Sequence, residues 1–247
     1  WALFLRNHDE LDLGRLTEAQ RQRVFDALGP DKSMQLYDRG IRRRLGPMLD
    51  GDRRRLECAY SLLFTLPGTP VIRYGDELGM GDNLKLRERN AARTPMQWSN
   101  EPHGGFTNNP DPVLPVVSEG PYGYPKVNAA DQRRDPQSLL NWTERIIRMR
   151  KEVPEIGLGE WSVVDTGDKA IFALRYDWEG NGVLVMHNLS GKSIEVAIRL
   201  GDALGRHLIN LLAEAHSDAD ARGAHHIALE PYGYRWFRLG GLTEALD

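Results

Sequence analysis

A group of polar side chains directly follows an apolar run at the start of the chain. Residues 1–5 are apolar, and Arg6, Asn7, His8 and Asp9 come immediately after them. We expect residues 1–5 to form a buried strand, and in an α/β barrel the groups that do chemistry lie at the carboxyl ends of the strands. This order therefore predicts a functional edge at Asp9. The alternative is that Asp9 and His8 form a strand-end cap or a salt bridge with Arg6.

A second set of carboxylates follows a second short strand. Residues 71–74 have strand character, and Asp76 and Glu77 come directly after them. Helical periodicity over 17–28 and 53–66 places helices between the two strands. Strands that alternate with helices and end in carboxylates are typical of a parallel α/β fold. Asp76 and Glu77 then either line the rim of a pocket or cap the loop that follows them.

A long loop comes after the second strand. Residues 79–124 are rich in Pro, Gly and Asn and show little periodicity. Loops of this length in compact domains are functional or disordered. Its apolar and aromatic side chains predict an ordered loop that covers a site; they are Met96, Trp98, Phe106, Tyr122 and Tyr124. Arg89 and Arg93 either reach that site or anchor the loop through salt bridges.

The pattern changes in the second half of the chain. An amphipathic helix is predicted over 138–151, and Pro154 follows its end. Short runs of strand residues then alternate with turn signals, which is typical of an antiparallel β-sandwich. The predicted strands are 161–165, 170–176, 182–188, 194–198, 207–211, 225–229 and 234–238. We therefore predict two domains, residues 1–154 and residues 155–247.

Composition excludes several classes of protein. The 247 residues carry a net charge of −3 and are 40% hydrophobic, which predicts a soluble globular protein without nucleic-acid partners. The sequence contains neither an apolar run long enough to span a membrane nor a signal peptide. The single cysteine, Cys58, predicts a buried thiol and a reducing, cytoplasmic location. The basic runs 42–44 and 53–55 are predicted to be solvated helix faces.

One histidine pair has the composition of a metal site. His225 and His226 are adjacent on a predicted strand. Neighbouring residues on a strand face opposite ways, so the two imidazoles are not expected to share a ligand. We therefore predict no metal site in the chain.

Three segments resemble motifs of glycoside hydrolase family 13, the α-amylase family. Residues 4–9 are similar to the family's last shared active-site motif, at the end of barrel strand seven. Residues 67–77 are similar to strand eight and its exit, and residues 89–98 are similar to a segment typical of the family's α-glucosidases. The ordered set of motifs, followed by a β domain, makes the resemblance specific over residues 1–152.

The resemblance implies a fold and a division of the catalytic machinery. Residues 1–154 would be the last strands and helices of a (β/α)8 TIM barrel, and residues 155–247 the family's C-terminal antiparallel β-sandwich. In this family the nucleophile and the acid/base come from barrel strands four and five, which precede the motif at Asp9. We therefore expect this chain to be the C-terminal portion of a longer enzyme and to be inactive alone. No cofactor is expected in this chain, and a structural calcium ion is expected, if present, in the upstream part.

The resemblance also implies roles for individual residues. The family assigns Asp9 to hydrogen bonds with the 2- and 3-hydroxyls of the sugar at the cleavage point, where the carboxylate stabilises the transition state. His8 is implied to bond the same hydroxyls, and Asn7 to belong to the same binding motif. Arg93 or Arg89 is implied to reach the sugar pocket or to pair with a catalytic carboxylate.

Four further residues are candidates for contact with the sugar. Asp76 and Glu77 are substrate-binding candidates at the pocket rim, with capping of the next loop as the alternative. Trp98 and Tyr122 either stack on a sugar face or are buried anchors of the loop.

A narrower resemblance is to the members of the family that interconvert maltose and trehalose. It rests on residues 4–11, 40–49 and 74–83. The implied reaction is an intramolecular glucosyl transfer in a closed pocket. Two alternatives stay open: hydrolysis of small α-glucosides, and a non-catalytic carbohydrate-binding or structural unit. The implied partners are small sugars, with neither nucleic acid nor a membrane, and homo-oligomer formation is left open.

Overall fold

The computed structural model describes residues 1–201 and 204–240. These residues form two units, each made of separate segments of the chain. One unit contains Trp1–Leu3, Glu57–Pro70 and the described residues from Ile146 onward, and the other contains Phe4–Leu56 and Val71–Arg145. The boundary predicted near residue 154 divides the chain by sequence order and stays a prediction.

The helices and strands are mostly short in the first half of the chain and longer in the second. The helices are α1 Glu18–Leu28, α2 Leu45–Met48, α3 Arg53–Thr65, α4 Ala129–Arg134, α5 Leu139–Lys151 and α6 Glu155–Leu158. The strands are β1 Ala2–Leu3, β2 Leu11–Asp12, β3 Gln35–Leu36, β4 Gly40–Ile41, β5 Thr69–Pro70, β6 Glu160–Val163, β7 Ile171–Trp178, β8 Asn181–Asn188, β9 Ile194–Ile198, β10 His207–Asn210, β11 His216–Asp218, β12 His225–Leu229 and β13 Tyr234–Leu239.

Local capping explains where the predicted helices begin. The Thr17 hydroxyl accepts the N–H of Gln20, and the Gln20 side chain accepts the N–H of Thr17, which is a complete capping box for α1. The Asp52 carboxylate accepts the backbone N–H of Arg54 at 2.9 Å, and so begins α3. The helices predicted over 17–28, 53–66 and 138–151 are therefore present within one or two residues at each end.

The two strands predicted to bear the site are shorter and more exposed than expected. β1 pairs with β5 in parallel, Ala2 opposite Thr69. The prediction of a buried strand over residues 1–5 is wrong for this structure, because Trp1 and Phe4 are exposed. Within the described residues β1 pairs with β5 alone, and one neighbour cannot cover a parallel strand on every side.

The second predicted strand is displaced toward the N-terminus. Residues 71–74 lie outside any strand, and the ladder ends at Pro70. Proline has no N–H to donate, so it cannot continue the hydrogen bonding of the pair. Residues 71–74 instead run as irregular backbone, which leaves the carbonyl and ring of Tyr74 to contact arginines.

The long loop predicted over 79–124 is present. These residues, all of which the structure describes, hold only short 3₁₀ turns at Glu88–Ala92 and Pro102–Gly105. Met96 is buried as expected for an ordered loop, but Trp98 and Phe106 are half-exposed. The structure adds the short helix α4, which the sequence analysis did not predict.

The second half of the chain is antiparallel β structure, as predicted. Each predicted strand overlaps an observed one, and the short polar strand β11 is additional. One sheet has the order β11-β10-β13-β8-β7-β6, and β9 pairs with β12. Both groups of strands contribute to one apolar core, which includes Leu184, Met186, Ile198, Leu208, Ile227 and Phe237. The finer assignments, a β-sandwich and the end of an eight-stranded barrel, stay predictions.

A small polar cluster lies inside this unit. The His187 ring is fully buried, and its Nε2 lies 3.0 Å from the Ser61 hydroxyl. The Trp236 indole N–H donates to the same hydroxyl at 2.9 Å. The cluster connects α3 to β8 and β13.

Among the described residues, every helix is too short or too polar to cross a membrane.

Candidate functional site

The backbone around Asp9 is held by side chains of its own motif and by a buried arginine. The Asn7 side-chain oxygen accepts the N–H of Asp9 at 2.9 Å. Arg6 is buried, and its guanidinium donates to the carbonyls of Asp9 at 2.7 Å and of Arg43 at 2.8 Å. The alternative of a salt bridge from Arg6 to the Asp9 carboxylate is therefore not what the structure shows. Arg6 orients the main chain and leaves the carboxylate to other partners.

The Asp9 carboxylate lies between cationic groups and solvent. Arg93 Nη2 donates to Asp9 Oδ1 at 2.8 Å, and Arg93 Nε donates to the carbonyl of His8 at 2.8 Å. The ring of His8 lies 3.5 Å from Asp9 Oδ2. The Asp9 side chain is still 39% exposed, so it has a fixed position and free room to accept hydrogen bonds from a ligand.

Arg89 pairs mainly with Glu10, a carboxylate that was not among the predicted site residues. Its Nε donates to Glu10 Oε2 at 2.6 Å and its Nη2 to Oε1 at 3.2 Å, whereas Asp9 Oδ1 is 3.4 Å away. The Glu10 side chain is only 5% exposed. The Arg89 hydrogen bonds lower the pKa of Glu10, and the carboxylate in turn raises the pKa of Arg89. The sequence contained one sign of this role, because Glu10 directly follows Asp9 in the motif.

Asp76 is buried and pairs with an arginine. Arg44 Nη2 donates to its Oδ1 at 3.0 Å. Burial raises the pKa of Asp76, and the Arg44 guanidinium opposes that rise. Glu77 is half-buried, and burial raises its pKa as well. The partner of the Asp76 carboxylate is thus Arg44, and the roles predicted for Asp76 and Glu77 stay predictions.

The arginines of the 42–44 run are not a solvated helix face, and that prediction is wrong. Arg44 is 1% exposed and donates to the carbonyl of Tyr74. Arg43 pairs with Asp82 at 3.1 Å. The Arg42 guanidinium donates to the carbonyls of Leu84, Leu86 and Glu88. The irregular loop has carbonyls without ladder partners, and long cationic side chains supply the missing donors.

A cavity opens beside Arg93. Its volume is about 630 Å³, and Arg93 forms part of its wall. The other lining residues are mostly apolar or aromatic: Tyr74, Pro95, Met96, Trp98, Phe106, Thr107, Asn109, Pro112, Val113 and Leu114. Trp98 therefore faces a cavity, whereas Tyr122, the other aromatic candidate, is not among these lining residues and is half-buried elsewhere in the loop.

The histidine pair behaves as the strand geometry predicts. His225 is buried and His226 is exposed, so the two rings lie on opposite faces of β12. The described ranges of the chain contain no group of three or more His, Cys, Asp or Glu side chains arranged to hold a metal ion.

Comparison with known proteins shows which family this chain resembles. Residues 38–159 match the catalytic domain of α-amylase, and residues 180–238 match the C-terminal domain of sucrose hydrolase-like proteins. The solved structure of the trehalulose synthase MutB has a TM-score of 0.64 and 23% identity, over 96% of this chain and 43% of that one. At this identity the likeness concerns the fold alone. The resemblance to the α-amylase family is therefore confirmed.

Curated relatives narrow the likeness within the family. The trehalose synthase of Thermus thermophilus is 41% identical over 242 residues, which are 97% of this chain and 25% of that protein. The trehalose synthase of Pimelobacter sp. (strain R48) is 37% identical over 245 residues, 97% of this chain and 43% of that protein. This chain thus spans a quarter of the first relative's length and 43% of the second's. The narrower resemblance, to trehalose synthases, is confirmed.

Proposed function

We propose that this chain supplies the transition-state-stabilising carboxylate of a retaining enzyme that acts on α-glucosides. The observation that carries the proposal is the Asp9 carboxylate, held by Arg93 at 2.8 Å and still 39% exposed. A carboxylate in this state can accept two hydroxyl hydrogen bonds from one sugar ring. Asn7 and His8 orient it, since the Asn7 side chain bonds the Asp9 N–H and the His8 ring lies beside Oδ2.

The chemical role of Asp9 follows from the charge that develops on the sugar. Glycoside cleavage passes through an oxocarbenium-like transition state, in which the ring flattens and gains positive charge. Hydrogen bonds from the 2- and 3-hydroxyls to a fixed carboxylate strengthen as that charge grows, and so they lower the barrier. Because Arg93 already holds Asp9, little reorganisation is needed when the ring flattens.

The rest of the machinery is proposed to lie outside these 247 residues. Retention of configuration needs a nucleophile and an acid/base whose carboxyl groups are about 5 Å apart. The family resemblance assigns both to barrel strands that precede the motif at Asp9. We therefore propose that the 247 residues alone bind sugar weakly and show no turnover, and that a structural calcium ion, if one is used, lies in the upstream part.

The reaction proposed for the full-length protein is the interconversion of maltose and trehalose. The support is the likeness to trehalose synthases over 97% of this chain. A glucosyl-enzyme forms, the released glucose turns within the pocket, and its anomeric hydroxyl attacks to give the α,α-1,1 link. The loop over 79–124 would close the pocket, because exclusion of water disfavours hydrolysis. We place this reaction in the cytoplasm, and its substrates are small sugars.

A second candidate is hydrolysis of small α-glucosides with the same parts. Its specific support is the likeness of 58% of this chain to an oligo-1,6-glucosidase of Halalkalibacterium halodurans, at 27% identity. The difference between the two candidates is whether water or the released glucose attacks the glucosyl-enzyme.

Incubation of the full-length protein with maltose separates the candidates. Trehalose as the main product supports the first, and glucose as the only product overturns it in favour of hydrolysis. Asp9→Asn should lower kcat by at least about 100-fold with either product. Asp26→Asn, an exposed carboxylate on α1, is the matched control and should keep wild-type kcat.

A further inference from the structure

We propose that Asp76 is a positioning residue for Asp9 and acts through arginines that hold the backbone of residues 7–9. The proposal rests on the proposed function, because it needs Asp9 to stabilise the transition state. It gives Asp76 a role other than contact with the sugar or capping of the next loop. The arginine cluster is defined here as Arg6, Arg44 and Arg73.

Three consecutive carbonyls, those of residues 7–9, each accept a hydrogen bond from a different arginine. Arg73 Nη1 donates to the first at 3.1 Å, Arg93 Nε to the second at 2.8 Å and Arg6 Nη2 to the third at 2.7 Å. This backbone lies outside any strand, so its carbonyls need donors from side chains. Because the same backbone carries the Asp9 side chain, the direction of that carboxylate depends on the three arginines.

Asp76 is a buried carboxylate beside the arginine cluster. Arg44 Nη2 donates to Asp76 Oδ1 at 3.0 Å and also donates to the carbonyl of Tyr74. Burial raises the pKa of Asp76, and the positive charges of all three arginines of the cluster oppose that rise. One carboxylate thus lies within electrostatic reach of the two guanidiniums that hold the carbonyls of residues 7 and 9.

The geometry of the arginine cluster depends on this negative charge. Arg6 and Arg44 are only 3% and 1% exposed. Burial lowers the pKa of Arg6 to about 10, Asp76 opposes that fall, and the charge of Arg73 adds to it. Buried like charges repel each other and keep their places only with a counter-ion beside them. A neutral residue at position 76 therefore lets the guanidiniums move apart, and the carbonyls of residues 7–9 move with them.

Two other carboxylates near the arginine cluster pair with arginines outside it. The Glu10 oxygens accept hydrogen bonds from Arg89 at 2.6 and 3.2 Å. Asp82 Oδ2 accepts a hydrogen bond from Arg43 Nε at 3.1 Å. Asp76 differs from both, because the guanidinium that bonds it belongs to the cluster itself.

Loss of Asp76 should change the rate of the reaction more than the binding of substrate. A misplacement of about 1 Å at a catalytic group can cost about 100-fold in rate. Hydrogen bonds that strengthen only in the transition state contribute to kcat, whereas contacts made equally in the ground state contribute to KM. A displaced Asp9 carboxylate therefore lowers kcat and leaves KM nearly unchanged.

Asp76→Asn in the full-length protein tests this role. It should lower kcat for maltose by about 10- to 100-fold and change KM by less than about threefold. Binding of a protonated iminosugar, a cationic mimic of the flattened ring, should weaken in calorimetry. In the Asp9→Asn background, Asp76→Asn should change the iminosugar Kd less than about twofold, because Asp76 acts through Asp9. Glu155→Gln is the matched control, since it removes a buried carboxylate 3.4 Å from Arg238 and should keep wild-type kcat.

The outcomes separate this proposal from the proposed function. Wild-type kcat in Asp9→Asn overturns the proposed function. Reduced kcat in Asp9→Asn together with wild-type kcat in Asp76→Asn overturns the positioning role alone, and so does an additive effect of the two replacements on the iminosugar Kd.

A second variant keeps the test decisive if Asp76→Asn does not fold. Arg73→Met removes the donor to the Asn7 carbonyl and leaves the bond between Asp76 and Arg44 in place. It should lower kcat, and Arg73→Lys, which keeps a charged donor, should restore part of the loss. Wild-type kcat in Arg73→Met would then overturn the proposal.

Discussion

Arg93 binds Asp9 and the backbone beside it with two different nitrogens. Nη2 donates to the Asp9 carboxylate and Nε to the carbonyl of His8, both at 2.8 Å. The sequence places these residues more than eighty positions apart, and the guanidinium brings the long loop onto the strand end. The relationship explains how a loop without strands or α-helices can still position the candidate carboxylate.

Replacement of Arg93 should damage turnover more than it damages folding. Charge-assisted hydrogen bonds contribute about 1.5–3 kcal/mol each, so Arg93→Ala should lower kcat/KM for maltose by about 10- to 100-fold. Arg93→Lys keeps the charge but lacks the forked geometry, and should restore only part of the loss. Steady-state kinetics of the full-length protein measure both. Arg87→Ala, an exposed arginine of the same loop, should stay within twofold, and wild-type kinetics in Arg93→Ala would contradict the role of Arg93.

Loss of the Glu10 charge should lower thermal stability. Glu10 is nearly buried and accepts two hydrogen bonds from Arg89. Glu10→Gln should cost about 1–3 kcal/mol, and calorimetry of the full-length protein should show a lower unfolding temperature. The double variant with Arg89→Met measures the coupling, which we expect to be small but measurable because Arg89 is partly exposed. Strict additivity of the two single variants would show that the pair is not coupled.

The unit that contains the long β strands should be less stable at mildly acidic pH, because His187 is buried in its neutral form. Burial lowers the pKa of His187 from 6.5 to about 3. The unfolded state then binds more protons than the folded state between these values. The stabilisation is complete above pH 6.5 and is lost as the pH falls, by about 1.4 kcal/mol per pH unit.

Urea unfolding at pH 7.0 and pH 5.5 tests this dependence. The wild-type protein should lose about 1.2 kcal/mol between these two pH values, and His187→Gln should show a much flatter change. His226→Gln is the control, because it removes an exposed histidine of the same unit and leaves His187 in place. Identical pH profiles for wild type and His187→Gln would refute the prediction.

Cys58 should be chemically inert in the folded protein. The thiol is buried, and burial raises its pKa to about 11. Thiolate is the reactive form, so iodoacetamide at pH 8 should leave Cys58 unmodified for hours in the native protein and alkylate it rapidly in urea. Mass spectrometry of the peptide that contains Cys58 measures both rates. Rapid native alkylation would show that the α3 region opens readily.

Local signals made much of the architecture predictable. The capping residue Thr17, the capping residue Asp52 and the alternating pattern of the β strands act over a few neighbouring positions, and each element they predict is present. The candidate carboxylate Asp9 was also identified from a local pattern, an apolar run followed by polar groups, and its function stays a prediction.

The partners of these groups were not predictable in the same way. Arg44 looked like part of a charged helix face, yet it is buried against Tyr74 and Asp76. Arg89 looked like a ligand for a sugar, yet its nearest carboxylate is Glu10. An arginine reaches several ångströms in any direction, so its partner depends on which backbone segments come together.

The sequence by itself determined the element types, the antiparallel β part, the family and the position of the candidate carboxylate. Tertiary structure alone decided that Arg93 holds Asp9, that Asp76 is buried, and that aromatic side chains of the loop line a cavity beside Arg93. The physical reason is the sequence separation over which each kind of interaction acts. Caps and periodicity depend on neighbours within a few residues, whereas salt bridges, burial and cavities depend on contacts between residues that are tens of positions apart.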